Sequence, residues 1–329
     1  MIIAVTGANG HVGVNLCKAL KEAGHEVRAL THQNDYALRH IDVTPVKGDL
    51  LVKETLIPFV GGADIVFHLA AKISIRGDRD GSVTRLNIEG TRNIVEASRN
   101  ARVKRLIHFS SIHAFNHEPL DEVLNETRPL VGDDGFAYDR SKAEGERIVR
   151  QAAAEGMDAL VLSPTAIIGP MDFEPSLTGK AFLELYHRQI PALVPGGYNW
   201  VDVRDVVSAA IAAIEKGRTG EKYLVAGTWR SIGEVARLIE KQTGSKTTKV
   251  IMPFWVARVG LPFITLYSRI TGADPLYTSE SLEIISKGSR HISNEKARKE
   301  LGFNPRPLED TIADIFQWFA EAGYLKPTS

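Results

Sequence analysis

Apolar runs and amphipathic stretches alternate along the first half of the chain. Residues Ile2 to Val5 form a short, β-branched apolar run, which predicts a buried strand. Val12, Leu16 and Leu20 then recur at helical spacing. The alternation continues to about Leu162, and strands that alternate with helices predict a parallel, doubly wound sheet. The expected fold class is therefore α/β.

The pattern loosens after Gly169, where prolines and glycines interrupt the chain. We expect these interruptions to mark loops that cover the carboxyl ends of the strands. A strand is predicted again from Tyr198 to Val203, followed by a helix through Ala213 and a strand from Tyr223 to Ala226.

The most apolar region runs from Val250 to Ile270. Two prolines and two arginines interrupt it, so we do not expect a membrane-spanning helix of about 20 apolar residues. The interruptions are Pro253, Arg258, Pro262 and Arg269. We predict two short packed helices of a substrate-side lobe, with peripheral contact to a membrane as the alternative.

A glycine-rich turn directly follows the first predicted strand. Gly7 suits the tight turn, Gly10 allows the backbone to approach a pyrophosphate, and Gly13 lets the helix pack closely on the strand. The start of the helix offers free N–H groups and a positive dipole end to phosphates. Because a strand precedes this turn and a helix follows it, the turn predicts a dinucleotide site. Neighbouring candidates for cofactor contact are Asn9, His11 and Val12.

The end of the second predicted strand, Glu26 to Leu30, bears on the choice of cofactor. A carboxylate there would bind both ribose hydroxyls of NAD. The chain has Thr31 and His32 instead, with Asp35 further along the loop, so a 2′-phosphate would meet no repulsion at the strand tip. We therefore favour NADP, with NAD as the alternative. The candidate basic partners of the phosphate are His32, Arg28 and Arg39.

Tyr138 and Lys142 lie four positions apart, which places both side chains on one face of a helix. An ammonium held there favours the phenolate, so we expect the pKa of Tyr138 to fall from about 10 toward neutrality. That shift would make the tyrosine usable as a general acid or base. A tyrosine and a lysine at this spacing occur by chance in many helices. The glycine turn upstream is the observation that supports a catalytic role for this pair.

With the glycine turn, Tyr138 and Lys142 together, the chain resembles the extended short-chain dehydrogenases/reductases over nearly its whole length. The resemblance implies that Ser111 is catalytic with these two residues, with Ser110 as the alternative if the register differs by one. It implies a structural or proton-relay role for Asn87. It also implies cofactor contacts by His32, Asp49, Leu50, Leu69, Ala70, Ala71, Tyr138, Lys142, Pro164, Ala166 and Ile167.

The same resemblance implies two parts that interleave along the chain. We expect a dinucleotide-binding Rossmann domain of residues 1–165 plus 199–228. A smaller, mixed α/β lobe of residues 166–198 plus 229–329 is expected to bind the substrate.

Two positions separate branches of this family. Sugar-nucleotide epimerases usually carry Arg at the position of Ser163 and Asn at that of Ala166, and both are absent here. The stretch is more similar to dihydroflavonol reductases, cinnamoyl-CoA reductases and 3β-hydroxysteroid dehydrogenases. Sugar-nucleotide dehydratases normally have Thr where this chain has Ser111, which argues against dehydration.

We therefore expect reversible hydride transfer between a nicotinamide cofactor and a carbonyl or secondary alcohol of a hydrophobic small molecule. His113 is expected as a polar wall residue of the substrate pocket. An aromatic, apolar wall is expected from Phe115, Met171, Phe173, Tyr186, Tyr198 and Trp200. The alternatives are a sugar-nucleotide epimerase with tightly bound NAD and a non-catalytic dinucleotide-binding sensor.

Composition excludes several other classes. The 40 basic and 40 acidic residues balance, so the chain has no broad electrostatic footprint for nucleic acid. The single cysteine, Cys17, excludes an intramolecular disulfide and fits a reducing cytosol. No Cys/His grouping has the spacing of zinc ligands. Met1 leads directly into the first strand, so we expect no signal peptide, and we expect a cytoplasmic protein. The family resemblance implies a monomer or a homodimer, and the expected partner is a small-molecule substrate.

Overall fold

The computed structural model describes residues 1–271 and 277–325. Strands within these ranges form two sheets. Their bounds are β1 (Ile2–Thr6), β2 (Glu26–Thr31), β3 (Thr44–Lys47), β4 (Ile65–His68), β5 (Arg105–Phe109), β6 (Ala159–Pro164), β7 (Ala166–Ile168), β8 (Gly197–Asp202), β9 (Lys222–Val225) and β10 (Thr228–Ser231).

Helices connect these strands and complete the chain. Their bounds are α1 (His11–Glu22), α2 (Leu56–Val60), α3 (Ser82–Asn100), α4 (Ala137–Ala154), α5 (Leu177–Tyr186), α6 (Val203–Lys216), α7 (Ile232–Thr243), α8 (Phe254–Thr271), α9 (Ser279–Lys287), α10 (Glu295–Leu301) and α11 (Leu308–Glu321).

The larger sheet has seven strands in the order β3-β2-β1-β4-β5-β6-β9, and every neighbouring pair runs parallel. Helices cover both of its faces. Leu16 of α1 and Ala210 of α6 join a buried cluster on one face, whereas Ile94 of α3 and Val149 of α4 lie in the cluster on the other. The predicted doubly wound parallel sheet is confirmed.

The winding of this sheet reverses between β1 and β4, where the next crossover runs in the other direction. In doubly wound sheets such a switch point opens a crevice at the carboxyl ends of the strands, where ligands bind. The glycine turn follows β1 and the segment from Leu69 follows β4, so both lie at this crevice.

The smaller sheet has the order β10-β8-β7, with β7 parallel and β10 antiparallel to β8. Helices α5, α7 and α11 pack around it through a buried cluster that includes Phe182, Ile239 and Phe316. The predicted strand near Tyr198 is therefore present as β8. It pairs within the smaller sheet, although our boundaries place most of it in the dinucleotide-binding part. Helix α6 and strand β9, which follow it, pack against and complete the larger sheet.

Two further segments differ from the sequence-based expectations. Ala297, Leu301 and Phe303, which we expected in the substrate lobe, lie in the buried cluster of the larger sheet. Helix α8 runs continuously past Pro262, where we expected two short helices. A proline inside a helix removes one intrahelical hydrogen bond, and a helix can continue through it with a kink.

Candidate active site

The glycine turn has the geometry that a bound pyrophosphate needs. Gly7 has φ +68°, and a Cβ there would lie 2.7 Å from the backbone nitrogen of Ala70. A Cβ on Gly13 would lie 2.1 Å from the carbonyl oxygen of Gly7, so the first turn of α1 rests directly on the turn. A Cβ on Gly10 would meet only that same oxygen, at 3.3 Å, which leaves the space above Gly10 open. The residues therefore fit a dinucleotide.

A buried hydrogen-bond chain fixes this turn to the neighbouring strand. The Thr6 hydroxyl accepts from the backbone N–H groups of Leu69 and Ala70, both at 3.2 Å, and lies 2.8 Å from Nδ1 of His68. His68 Nε2 lies 3.0 Å from the Thr91 hydroxyl, which donates to a backbone carbonyl. Burial lowers the pKa of His68 to about 3, so this ring is a neutral structural link.

The loop after β2 carries the candidate contacts for the adenosine end of a dinucleotide. His32 Nε2 lies 3.5 Å from a carboxylate oxygen of Asp49, and Arg39 pairs with Asp35 at 3.0 Å. Arg28 donates to the carbonyl oxygen of Gly61 at 2.6 Å, three residues before the strand ends. Its guanidinium is thus engaged away from the strand tip, and His32 and Arg39 remain as candidate partners of a 2′-phosphate.

A second loop, 170–174, is tied to the same crevice. His11 Nε2 lies 3.0 Å from the carbonyl oxygen of Pro170. Asn9 accepts from the backbone N–H of Ala37 at 2.9 Å and donates to Glu174 at 3.4 Å. The side chains of Asn9 and His11 therefore hold loops in place. Sequence reasoning missed Glu174, because it lies 165 positions from Asn9 along the chain.

Tyr138 lies in the first turn of α4, opposite the end of β5. The Ser111 side chain acts on its phenol through a hydrogen-bond interaction that lowers the pKa of Tyr138. Lys142, one turn further along, is buried and donates from Nζ to the carbonyl oxygen of Phe109 at 2.6 Å. The hydroxyl of Ser110 is buried and has no hydrogen-bond partner in the described chain. Ser111, and not Ser110, therefore shares a site with Tyr138.

The pKa values at this site differ from the sequence-based expectation. Burial of the phenol is the largest influence and raises the pKa of Tyr138 to about 12; the Ser111 hydrogen bond opposes this rise and the Asp139 charge adds to it. Burial also lowers the pKa of Lys142 to about 8. We expected the pKa of Tyr138 to fall. Removal of the phenolate from water outweighs the opposing hydrogen bond of Ser111.

Asn87 holds the segment after β4 against α4. Its Nδ2 donates to the carbonyl oxygen of Lys72 at 3.0 Å and to the hydroxyl of Ser141 at 2.8 Å. Its Oδ1 accepts from the backbone N–H of Lys72 at 2.7 Å. All of these contacts are structural. Within the described chain Asn87 has no side-chain hydrogen bond to Tyr138 or Lys142, so these contacts do not support the alternative of a proton relay.

A cluster of titratable side chains lies beside Tyr138. The His113 ring centroid is 5.8 Å from that of Tyr138, and its Nδ1 is 3.3 Å from Oδ1 of Asp139. Glu280, on α9, accepts from the backbone N–H of Gly77 at 3.1 Å, and burial raises its pKa while the Asp139 charge adds to the rise. Sequence reasoning found only His113. Asp139 had a signal, since it adjoins Tyr138, whereas Glu280 lies too far along the chain to have one.

His117 completes this cluster, with its ring centroid 6.4 Å from that of His113. Its Nδ1 accepts from the backbone N–H of Ser289 at 3.0 Å. Burial lowers the pKa of His117 to about 4, so the ring is neutral. We call His113, His117, Asp139 and Glu280 the polar cluster.

The predicted members of the aromatic wall lie in different environments. Phe115, Tyr186 and Trp200 are buried in hydrophobic clusters and are core residues, which corrects our expectation for them. Phe173 stacks on His40 at 5.0 Å, beside the loop after β2. The other two predicted members are partly exposed. Met171 comes directly after Pro170, whose carbonyl oxygen contacts His11, and Tyr198 lies on β8 and packs against the cluster that includes Tyr277.

The remaining predicted cofactor residues lie at the carboxyl edge of the sheets. Pro164 ends β6, and Ala166 and Ile167 begin β7 beside it. Asp49 and Leu50 follow β3, and Asp49 accepts from the backbone N–H of Leu51 at 2.9 Å.

Comparison with known proteins agrees with this arrangement. A model of the NAD dependent epimerase/dehydratase family matches residues 3–226, which is more than half of the chain. The chain belongs to this family. It is therefore an oxidoreductase of the extended short-chain dehydrogenase/reductase type, and the family resemblance inferred from the sequence is confirmed.

Similar proteins span the full length of this family member. It is 34% identical over 330 residues to sterol demethylase protein B of Methylococcus capsulatus, covering 99% of this chain and 100% of the relative. It is 29% identical to 4-hydroxy-2-methyl-3-oxo-4-farnesyl-3,4-dihydroquinoline-1-oxide ketoreductase of Stigmatella aurantiaca, covering 97% and 96%. The crystal structure of gox2253 matches with a TM-score of 0.85 at 31% identity, covering 99% of both chains.

Two other kinds of feature are absent from residues 1–271 and 277–325. No helix in these ranges is both long and apolar enough to span a bilayer. No three His, Cys, Asp or Glu side chains within them are grouped as metal ligands.

Proposed function

We propose that this enzyme transfers hydride reversibly between a nicotinamide cofactor and a carbonyl or secondary alcohol of a hydrophobic small molecule. The observation that carries the proposal is the placement of Ser111 against the Tyr138 phenol, with Lys142 one helical turn away. A nicotinamide dinucleotide supplies or accepts the hydride when it is bound in the crevice.

The side chains would divide the remaining work. In the reductive direction Tyr138 donates its proton to the carbonyl oxygen of the substrate as general acid. Ser111 donates a hydrogen bond to the same oxygen and polarises it. The ammonium of Lys142 stabilises the phenolate that remains on Tyr138. With a pKa of about 12, Tyr138 is protonated at neutral pH, which suits the role of acid.

Two observations support an apolar substrate. The names of two full-length relatives contain a sterol and a farnesyl group. Ser163, at the position where sugar-nucleotide epimerases usually carry Arg, is fully buried with an unpartnered hydroxyl in the described chain, so it offers nothing to a nucleotide substrate. The polar cluster lies beside Tyr138, so it would contact the end of the substrate that carries the reacting carbon.

The test is net consumption of reduced cofactor. Purified enzyme, NADPH or NADH and a panel of apolar ketones should give a stoichiometric fall in nicotinamide absorbance. Tyr138→Phe should lower turnover at least about a hundredfold, the typical effect of removing a positioned acid. The control is Tyr186→Phe, at a buried core position, which should leave turnover within about twofold.

Two other outcomes would contradict the proposal. Interconversion of sugar nucleotides without net consumption would indicate an epimerase. Tight dinucleotide binding without turnover on any substrate would indicate a sensor.

We further propose NADP as the preferred cofactor. The absence of a carboxylate at the tip of β2 supports this choice, together with the exposed imidazole of His32 and guanidinium of Arg39. Thermal-shift titrations should show a larger rise in melting temperature with NADP than with NAD, since a ligand that binds only the native state stabilises it. His32→Ala combined with Arg39→Ala should remove the difference. An equal or larger rise with NAD in the unmodified enzyme would refute the preference.

A further inference from the structure

Helix α8 has apolar side chains on its inner and its outer face. On the inner face, Ala257 is buried, and Phe254 and Leu261 pack against the cluster formed with Tyr277 and Leu282. These contacts attach the helix to the substrate-side lobe. A surface helix normally carries polar residues on the face that points to solvent.

The outer face of α8 does not follow that rule. Trp255 is 70% exposed and Val259 is 65% exposed. They lie four positions apart, so their side chains are neighbours on the helix surface. Val250 and Ile251, in the segment that leads into the helix, are also more than half exposed. We call these four residues the Trp255 patch. Single exposed apolar residues are normal, but a group of this size in one segment is typical of an interaction site.

The charge of the same segment is one-sided. Between residues 244 and 273 the sequence has four basic residues and no Asp or Glu, although acidic and basic residues balance over the whole chain. Lys246, Lys249 and Arg258 are exposed. In the neighbouring helix Glu283 is paired with Lys287 at 2.9 Å, and the charges of Arg258 and Glu118 both act on that lysine. The segment that carries the patch therefore contributes cations and no acid of its own.

We propose that the Trp255 patch docks onto a bilayer surface that contains anionic phospholipid. Tryptophan is favoured at the boundary between headgroups and acyl chains. Lysine and arginine attract anionic headgroups, while their aliphatic stems lie along apolar surface. An exposed indole and valine flanked by cations are thus typical of a helix that lies in the interface.

Other occupants fit the patch less well. Spanning the bilayer is disfavoured by Arg258 and Pro262 within the helix. A second copy of this chain would bring the same cations against one another, and like charges repel. The docking depends only on these exposed side chains, so its outcome and that of the proposed reaction can be told apart.

The experiment measures sedimentation of the full-length protein with large vesicles. We expect binding to vesicles of equal parts phosphatidylglycerol and phosphatidylcholine, and little binding to phosphatidylcholine alone. Trp255→Ala combined with Val259→Asp should lower the affinity at least about tenfold. Changing Lys246, Lys249 and Arg258 to Gln should lower it by about fivefold per charge, and the loss should shrink as salt is added.

The matched control is Ile57→Asp, since Ile57 is 67% exposed on α2, in the dinucleotide-binding part. This variant should bind vesicles like the unmodified protein. All variants should keep their melting temperature, which shows that they are folded. The proposal is overturned if the unmodified protein does not bind anionic vesicles. It is also overturned if the Trp255/Val259 variant binds them as tightly as the unmodified protein does. It is also overturned if that variant only changes the oligomeric mass in light scattering.

Discussion

Nδ1 of His113 lies 3.3 Å from Oδ1 of Asp139, the residue that follows Tyr138. The pair places a carboxylate beside the phenol proposed as the proton donor, and the charge of Asp139 adds to the rise of the Tyr138 pKa. Asp139 therefore acts against phenolate formation. Removal of this charge should therefore lower the pKa of Tyr138.

Asp139→Asn should shift the pH dependence of alcohol oxidation to lower pH by up to about one unit. Oxidation needs the phenolate as base, and loss of the neighbouring negative charge lowers the pKa of Tyr138. The measurement is kcat/KM for oxidation between neutral and alkaline pH. The control is Glu144→Gln, which removes a carboxylate that pairs with Arg147 on the surface of the same helix. A shift to higher pH, or an equal shift in the control, would contradict the argument.

Lys142 should make the stability of the enzyme depend on alkaline pH. Its pKa is about 8 in the folded protein and about 10.4 in an unfolded chain. Below pH 8 both states are protonated, and the full penalty of burying the ammonium opposes folding. Between the two values the unfolded chain binds more protons, so stability rises with pH. A depressed lysine pKa thus destabilises the protein at neutral pH and ceases to do so near pH 10.

Lys142→Met should therefore stabilise the cofactor-free protein relative to the unmodified one at pH 7, by about 1–3 kcal/mol. Loss of the hydrogen bond to Phe109 reduces this gain. The difference should shrink as the pH approaches 10, and urea unfolding at several pH values measures it. Lys18→Met, at an exposed position on α1, should show a small difference that does not vary with pH. A gain that grows with pH would refute the prediction.

Glu146 and Lys222 form an ion pair of 3.2 Å whose side chains are 0% and 10% exposed. Glu146→Gln leaves the Lys222 cation buried without its partner and should lower the free energy of unfolding by about 3–5 kcal/mol. Adding Lys222→Met should restore part of that loss, since the unpaired charge is removed. A double-mutant cycle by urea unfolding measures the coupling.

Glu96→Gln provides the matched control, because Glu96 pairs with Lys53 at 2.6 Å on the surface. Its effect should stay within about 1 kcal/mol. Strict additivity of the Glu146 and Lys222 changes would show that the two charges do not depend on each other.

Gly13→Ala should abolish dinucleotide binding and destabilise the fold by about 2 kcal/mol or more. The added methyl would lie 2.1 Å from the carbonyl oxygen of Gly7, so α1 would have to move away from the turn. Gly233→Ala is the control, because a Cβ there meets nothing within 4 Å and the position lies inside α7. It should be neutral or stabilising. Thermal shift with and without NADP distinguishes the variants, and retained binding in Gly13→Ala would argue against the assigned turn.

Local patterns were sufficient to predict the larger sheet, the glycine turn and the proximity of Tyr138 to Lys142. Each depends on neighbours in sequence: a run of apolar residues, a turn between two elements, or one turn of a helix. The serine that acts with Tyr138 is harder to predict. Ser110 and Ser111 both follow β5, and successive residues of an extended chain point to opposite faces, so a shift of one position exchanges them.

The pocket wall and the pKa of Tyr138 depend on packing between distant segments. Aromatic residues have the same pattern in a core and in a pocket, so the burial of Phe115 and Trp200 could not be read from the sequence. Glu280 reaches the polar cluster only because α9 meets the loop at Gly77. The direction of the Tyr138 pKa shift depends on the balance between burial and nearby charge, which needs distances.

The packing of α10 limits how this enzyme can be re-engineered. Ala297 and Leu301 lie between α9 and α11 of the substrate-side lobe in sequence, yet they fill the core of the larger sheet. Asn294 donates to the carbonyl oxygen of Ala226 at 2.7 Å. A chain that ends after β9 would therefore lack these side chains and expose part of the hydrophobic core of the larger sheet. The substrate-side lobe cannot be exchanged between relatives as one continuous segment. Changing substrate specificity requires the replacement of individual loops within an intact chain.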